Sequence, residues 1–129
     1  MKLLLDTSTT TCRLTIVDSN SIYHDYAWQA DRALARDLLA YMRDRLAEHQ
    51  ATFRQIDGLA VMKGPGSFTG LRIGATVINT LADSLEIAVV GEIGEDWREK
   101  ALARLQSGEN DRIVMPEYGS EANITKPRK

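Results

Sequence analysis

Lys63-Gly64-Pro65-Gly66-Ser67-Phe68-Thr69-Gly70-Leu71-Arg72-Ile73-Gly74 follows an apolar run, Leu59-Ala60-Val61-Met62, and precedes a helical pattern. Three glycines and a proline fall between positions 64 and 70. No strand or helix interior tolerates that density. A tight turn does, because glycine permits positive φ and close approach of another backbone. The turn also leaves the first N–H groups of the next helix pointing outward at its positive end.

Downstream of the turn, Leu71, Ala75, Ile78, Ala82 and Leu85 recur at helical spacing, and Gly74, Val77 and Leu81 form a second small or apolar face. A helix apolar on two sides is sandwiched, either in the core or against a partner. Ile87-Ala88-Val89-Val90 then reads as a strand stopped by Gly91. A last helix is expected over 96–106, with Trp97, Ala101 and Leu105 as its stripe and Ser107-Gly108 as its end. Ile113-Val114-Met115 suits a short extended segment, and residues 120–129 are polar and basic.

Upstream, Leu3-Leu4-Leu5 reads as a buried strand and Asp6-Thr7-Ser8-Thr9-Thr10-Thr11 as a polar turn. Alternation over 13–18 predicts a half-buried strand, Asp18-Ser19-Asn20-Ser21 a hairpin turn, and 22–28 a strand pairing back. Asp31 is placed to cap a helix whose stripe is Leu34, Leu38, Met42 and Leu46 and which runs to about His49. Three antiparallel strands followed by helix, strand, helix, strand make an α/β, ribonuclease-H-like lobe with a mixed five-stranded sheet. Such single lobes occur in actin-like proteins. The two strand–helix–strand units imply parallel pairing and right-handed crossovers.

With 129 residues, 43% hydrophobic and 26% charged, the chain has the size and composition of one globular domain. Its net charge of -2 gives no footprint for nucleic acid or a membrane surface. Asp6 cuts the opening apolar run too early for a signal peptide. A single cysteine, Cys12, excludes an internal disulfide and suits a reducing cytoplasm. His24 and His49 lie far apart in sequence without a cysteine pair, so no metal site is expected.

Three roles are open to the glycine turn. A Walker phosphate loop needs Gly-Lys-Ser/Thr, but Gly70 precedes Leu71-Arg72. A dinucleotide fingerprint would use Gly64, Gly66 and Gly70 with Glu92 on a ribose, but the spacing is one residue too long. A structural turn that seats the helix and presents Arg72 fits the spacing. Asp6, Thr7 and Ser8 sit where actin-like folds meet a phosphate or its metal; as plain turn residues their side chains would satisfy local backbone groups.

The run Gly64-Pro65-Gly66-Ser67-Phe68-Thr69-Gly70-Leu71-Arg72-Ile73-Gly74 resembles the signature of the TsaB/YeaZ family, within the Gcp-like, actin-like superfamily. Leu3-Leu4-Leu5-Asp6-Thr7-Ser8-Thr9 with Cys12, and Ala88-Val89-Val90-Gly91, are similar to its first strand and turn and its fifth strand. The resemblance covers residues 1–91. It implies a non-catalytic cytoplasmic protein of tRNA threonylcarbamoyladenosine synthesis that scaffolds and stabilises TsaD, the threonylcarbamoyltransferase, through a helix bundle. It further implies TsaE as a possible third member, self-association through related helices when TsaD is absent, and tRNA contact only through the complex. No cofactor is expected of the chain itself, with ATP or ADP bound only alongside the partners, and no membrane is involved.

On that resemblance Gly64, Pro65, Gly66, Ser67, Phe68, Thr69, Gly70, Leu71, Arg72, Gly74 and Ile78 are the candidates for the partner interface and its turn. Asp6, Thr7 and Ser8 are the candidates for a vestigial nucleotide site. Residues 1–91 would form the lobe and 92–129 a helix and tail packed on it, too few for the family's second lobe. A lysine and a glycine usual in the family's second helix are Asn79 and Thr80 here, and Pro116-Glu117-Tyr118 looks like its Pro-x-Tyr tail. The alternative function is a small nucleotide-binding enzyme using Asp6, Ser8 and the glycine turn.

Overall fold

The computed structural model describes residues 1–118. The basic stretch 120–129 lies outside the described residues. Five strands, β1 (Lys2–Asp6), β2 (Thr11–Val17), β3 (Tyr23–Gln29), β4 (Gly58–Gly64) and β5 (Ala88–Ile93), form one sheet in the order β3-β2-β1-β4-β5. β1, β2 and β3 pair antiparallel; β4 and β5 join in parallel. The sheet is mixed, with the ribonuclease-H-like topology expected of the sequence. The crossovers are α1 (Leu34–Ala47) and α2 (Phe68–Leu85), and α3 (Trp97–Gln106) follows β5.

Leu3, Leu4 and Leu5 are wholly buried because β1 is central and both faces of the sheet are covered. Leu3 and Leu5 join Leu14, Ile16, Leu38, Met42 and Ile78 under α1 and α2. Leu4 points the other way, to Val17, Ala60, Val90, Trp97 and Ala101 under α3. Each fully buried leucine contributes about 1.5–3 kcal/mol relative to exposure. The period-four stripe of α1, Leu34, Leu38, Met42 and Leu46, is buried as its spacing requires.

Three local expectations change. Asp31 does not cap α1: it opens a 3-10 turn (Asp31–Ala33) at positive φ, and its carboxylate accepts from Gln29. β2 is buried on both sides from Leu14 to Val17 rather than half-buried, while Arg13 stays exposed, since α3 packs beside Val17 and Arg98 covers Thr15. Gly91 does not stop β5, which runs on to Ile93. The absent side chain at 91 makes room for Val114, whose methyls occupy the space a Cβ there would need. Residues 113–115 belong to no regular element and lie in a strap that returns along the edge of the sheet.

Cys12 is 1% exposed, and burial, helped by the nearby Asp6 carboxylate, pushes its thiol up to about 12. Because the thiolate is the reactive form, native Cys12 is protected both sterically and electrostatically. Iodoacetamide labelling near neutral pH should proceed only through unfolding and accelerate with denaturant as opening does. Labelling of the native protein at the rate of a free thiol would contradict this burial.

Candidate functional site

The glycine turn is folded against the turn that follows β1. The Ser67 N–H donates to Ser8 O at 2.8 Å, and Thr7 Oγ1 donates to Gly70 O at 2.7 Å. Thr7 is fully buried, so that hydroxyl must find a partner inside the chain. α2 supplies it by approaching closely, and three glycines make the approach possible. A Cβ on Gly66 would lie 2.6 Å from Ser8 Cβ, and Cβ atoms on Gly70 and Gly74 would collide with Thr7 O and Thr7 Oγ1. Gly74 therefore faces the chain's own first turn and not the second face of α2.

The same contacts account for Asp6 and Ser8. The Ser8 N–H and hydroxyl both donate to Asp6 Oδ1, at 2.9 and 2.6 Å. Ser67 Oγ accepts from the Gly70 N–H at 3.2 Å, and Ser67 O accepts from Leu71. The hydroxyls of Thr7 and Ser8, and three amides of the turn, are thus engaged within the chain. Among the described residues no cluster of three or more His, Cys, Asp and Glu is arranged to hold a metal ion.

The interface candidates divide. Leu71 and Ile78 are buried under the sheet-facing side of α2, so a partner cannot touch them without opening the core. The spacing identified them as apolar but not which layer would take them. Ile73, Val77 and Leu81 are half-buried on the side toward α1, which covers part of the second face. What stays open is a shallow groove of about 430 Å³ lined by Ala35, Thr69, Arg72, Ile73, Thr76 and Val77. Phe68 is 55% exposed, and Leu39, one turn beyond Ala35 on α1, is 49% exposed. α3 does not reach this surface, because it lies on the other face of the sheet.

The sequence led to the expectation of a tail packed on the lobe but not of its path: the strap of residues 110–118 bounds α2 on a second side. Asn79 clamps it by both backbone groups of Val114: its amide donates to Val114 O at 3.0 Å and accepts from Val114 N at 2.9 Å. Glu117 N–H donates to Lys63 O at 2.6 Å. Gly64 has φ +138°, and a Cβ there would collide with Glu117 O. The available signals were a polar Asn79 beside an apolar stripe and the Pro116-Glu117-Tyr118 tail.

A charge cluster anchors the strap's start. Arg104 pairs with Glu92, Glu109 and Asp111, and Asp111 also accepts from Gly91 N at 2.9 Å. Burial works to raise the Asp111 carboxyl, but the Arg104 and Gly91 hydrogen bonds outweigh it and hold the carboxyl below its usual range.

Comparison with known proteins places the chain. The family described as "TsaD: tRNA N6-adenosine threonylcarbamoyltransferase" matches residues 28–92, half of the chain. The "tRNA threonylcarbamoyladenosine biosynthesis protein TsaB" of Haemophilus influenzae is 32% identical over 108 residues, 84% of this chain and 45% of that protein. Its Escherichia coli counterpart is 29% identical over 130 residues, 94% of this chain and 56% of that one. The structure of YeaZ from Pseudomonas aeruginosa superposes with a TM-score of 0.67 at 30% identity, over 77% of this chain and 49% of that one. The chain belongs to the TsaB/YeaZ family. It spans about half the length of the curated relatives it matches.

Two outcomes follow from this geometry. Gly74→Ala gains about 1 kcal/mol of helix propensity but loses about 1–3 kcal/mol to overpacking and about 1 kcal/mol with the Thr7 hydrogen bond. A net loss of about 2 kcal/mol is expected in urea unfolding. Thr7→Ala should recover part of it in the double variant, and strict additivity would contradict the contact. For Asp111, whose folded carboxyl is held low, the stabilisation is complete above the ordinary carboxylate range and disappears as pH falls through the folded value. Exchange protection of the Gly91 amide should therefore drop in acid, and Asp111→Asn should remove that part of the pH dependence.

Proposed function

We propose that this chain is a non-catalytic subunit of tRNA threonylcarbamoyladenosine synthesis that stabilises and positions TsaD by helix pairing. The observation that carries the proposal is the open groove between α1 and α2, in a chain of the TsaB/YeaZ family. Ile73 and Val77 provide an apolar floor, and Thr69, Thr76 and Arg72 a polar rim. A helix of TsaD laid in that groove would complete a bundle. Residues 1–91 would be the docking lobe, and 92–118 would brace it from the other face and edge of the sheet.

The glycine turn supports a scaffold over the enzyme alternative. The Ser67, Gly70 and Leu71 amides and the Thr7 and Ser8 hydroxyls are bonded within the chain, in service of packing. TsaE, ATP or ADP, and tRNA would then meet the chain only in the assembly, and self-association would use the same groove when TsaD is absent. Work in the cytoplasm follows from that role. Among the described residues no helix is long and apolar enough to cross a membrane.

Co-purification with TsaD of the same organism tests the proposal. The wild-type chain should be retained, and TsaD should form threonylcarbamoyladenosine faster with it than without it. Ala35→Arg and Thr76→Arg, at exposed positions, should keep the fold and weaken retention at least tenfold. Retention of both variants at wild-type level, or saturable ATP binding with turnover by the chain alone, would overturn the scaffold role.

A further inference from the structure

We infer that the strap is a positioning device for Arg72 at the rim of the docking groove, acting through Tyr118 and Phe68 and locked by Asn79. The inference rests on the docking role proposed above and names how that surface is preorganised.

Three aligned contacts carry it. The Tyr118 ring lies on Phe68, with centroids 4.4 Å apart and planes 37° from parallel. On the same Phe68 ring sits the Arg72 guanidinium, 5.5 Å from the centroid. Arg72 in turn lines the groove. Phe68 and Arg72 are one helical turn apart on α2, so their pairing is local. Tyr118 comes from far along the chain and is brought there by the strap.

The strap is built to hold a fixed path. Val114 is 3% exposed and plugs the space over Gly91. Its neighbours Ile113 and Met115 are 65% and 70% exposed, the alternation of an extended segment with one face inward. Asn79 reads the backbone of Val114 at both groups, which fixes the register. Three residues on, the Glu117 N–H bond to Lys63 and the Lys63–Glu117 ion pair at 3.3 Å place Tyr118 beside the first turn of α2. A one-residue slip would expose Val114 and withdraw Tyr118 from Phe68.

An exposed arginine samples many rotamers, and immobilising one on binding costs affinity. Held on Phe68, Arg72 meets a partner already oriented. Stacking and cation–π contacts of this kind correspond to about a three- to tenfold change in an equilibrium constant.

The test uses the full chain and TsaD, with titration of wild type, Tyr118→Ala, Tyr118→Phe, Arg72→Ala and the Tyr118→Ala/Arg72→Ala pair. Tyr118→Ala should weaken binding about three- to tenfold and Tyr118→Phe should restore it. In the Arg72→Ala background the Tyr118 substitution should have no further effect. Additive losses, or no loss from Tyr118→Ala, would overturn the inference. A partner-free readout separates it from the docking role: nitrogen-15 relaxation of the Arg72 Nε–H group in the isolated chain. That group should become more mobile in Tyr118→Ala and in Asn79→Ala; unchanged mobility overturns the inference even where TsaD binds. If TsaD does not bind wild type but Arg72 responds as stated, the docking role fails and the coupling stands.

Discussion

A single buried hydroxyl organises the upper half of this molecule. Thr7 has no access to water, so its Oγ1 requires a partner within the chain, and Gly70 O provides it at 2.7 Å. That distance draws the start of α2 onto the end of β1. Gly66, Gly70 and Gly74 are the positions where any side chain would prevent the approach. Once α2 is seated, its rotation about its own axis is fixed. Leu71 and Ile78 turn inward, Ile73 and Val77 turn toward α1, and Phe68 and Arg72 are left at the surface. The shape of the groove is therefore a consequence of a contact on the other side of the helix.

The sheet edges are handled unequally. β5 would present free amides, but the strap satisfies Val89 N with Asn110 Oδ1 and Gly91 N with Asp111 Oδ2, while Asp111 N donates to Val89 O. Side chains and one backbone group do the work of a sixth strand without adding one, which blunts the edge against unwanted pairing. β3, the other edge, carries His24 bonded to Asp18 at 2.9 Å and Tyr26 bonded to His49 at 2.8 Å. The two imidazoles lie 4.5 Å apart, so residues remote in sequence become neighbours through the packing of β3 on α1.

Local periodicity was enough for most of the fold. Leu3-Leu4-Leu5 announced a strand covered on both faces, and the fourfold spacing of Leu34 to Leu46 announced α1 with its buried side. The glycine turn was legible as a turn but not in its purpose. Glycine marks a place where a backbone comes close, and the sequence does not say whether a ligand, a partner or Thr7 is on the other side. Leu71 and Ile78 were correctly apolar, yet helical spacing alone cannot assign a stripe to one layer over another. Gly91 and Val114 stand 23 positions apart, 114 − 91, and their fit depends on a path that no short-range pattern encodes. Asn79 was visible as a departure from the family's usual lysine, without a hint that it would grip a backbone.

The size of the groove bears on what docking would require. A stable protein interface buries about 800 Å² on each partner, and its energy is concentrated in a few aromatic and arginine side chains. A shallow hollow of about 430 Å³, floored by Ile73 and Val77 and rimmed by threonines, is too small to be the whole contact. The surface has to extend along the helices that form it. Phe68 on α2 and Leu39 on α1 are exposed apolar side chains suited to that extension, and Arg72 lies between Phe68 and the groove. Of these, Phe68 and Arg72 are of the types that dominate binding energy, and both sit where the strap holds them. A rigid seat for α2 below and a clasp beside it leave little freedom to lose on association. The constraint that begins at Thr7 thus ends at the outer rim, on the surface where docking is proposed.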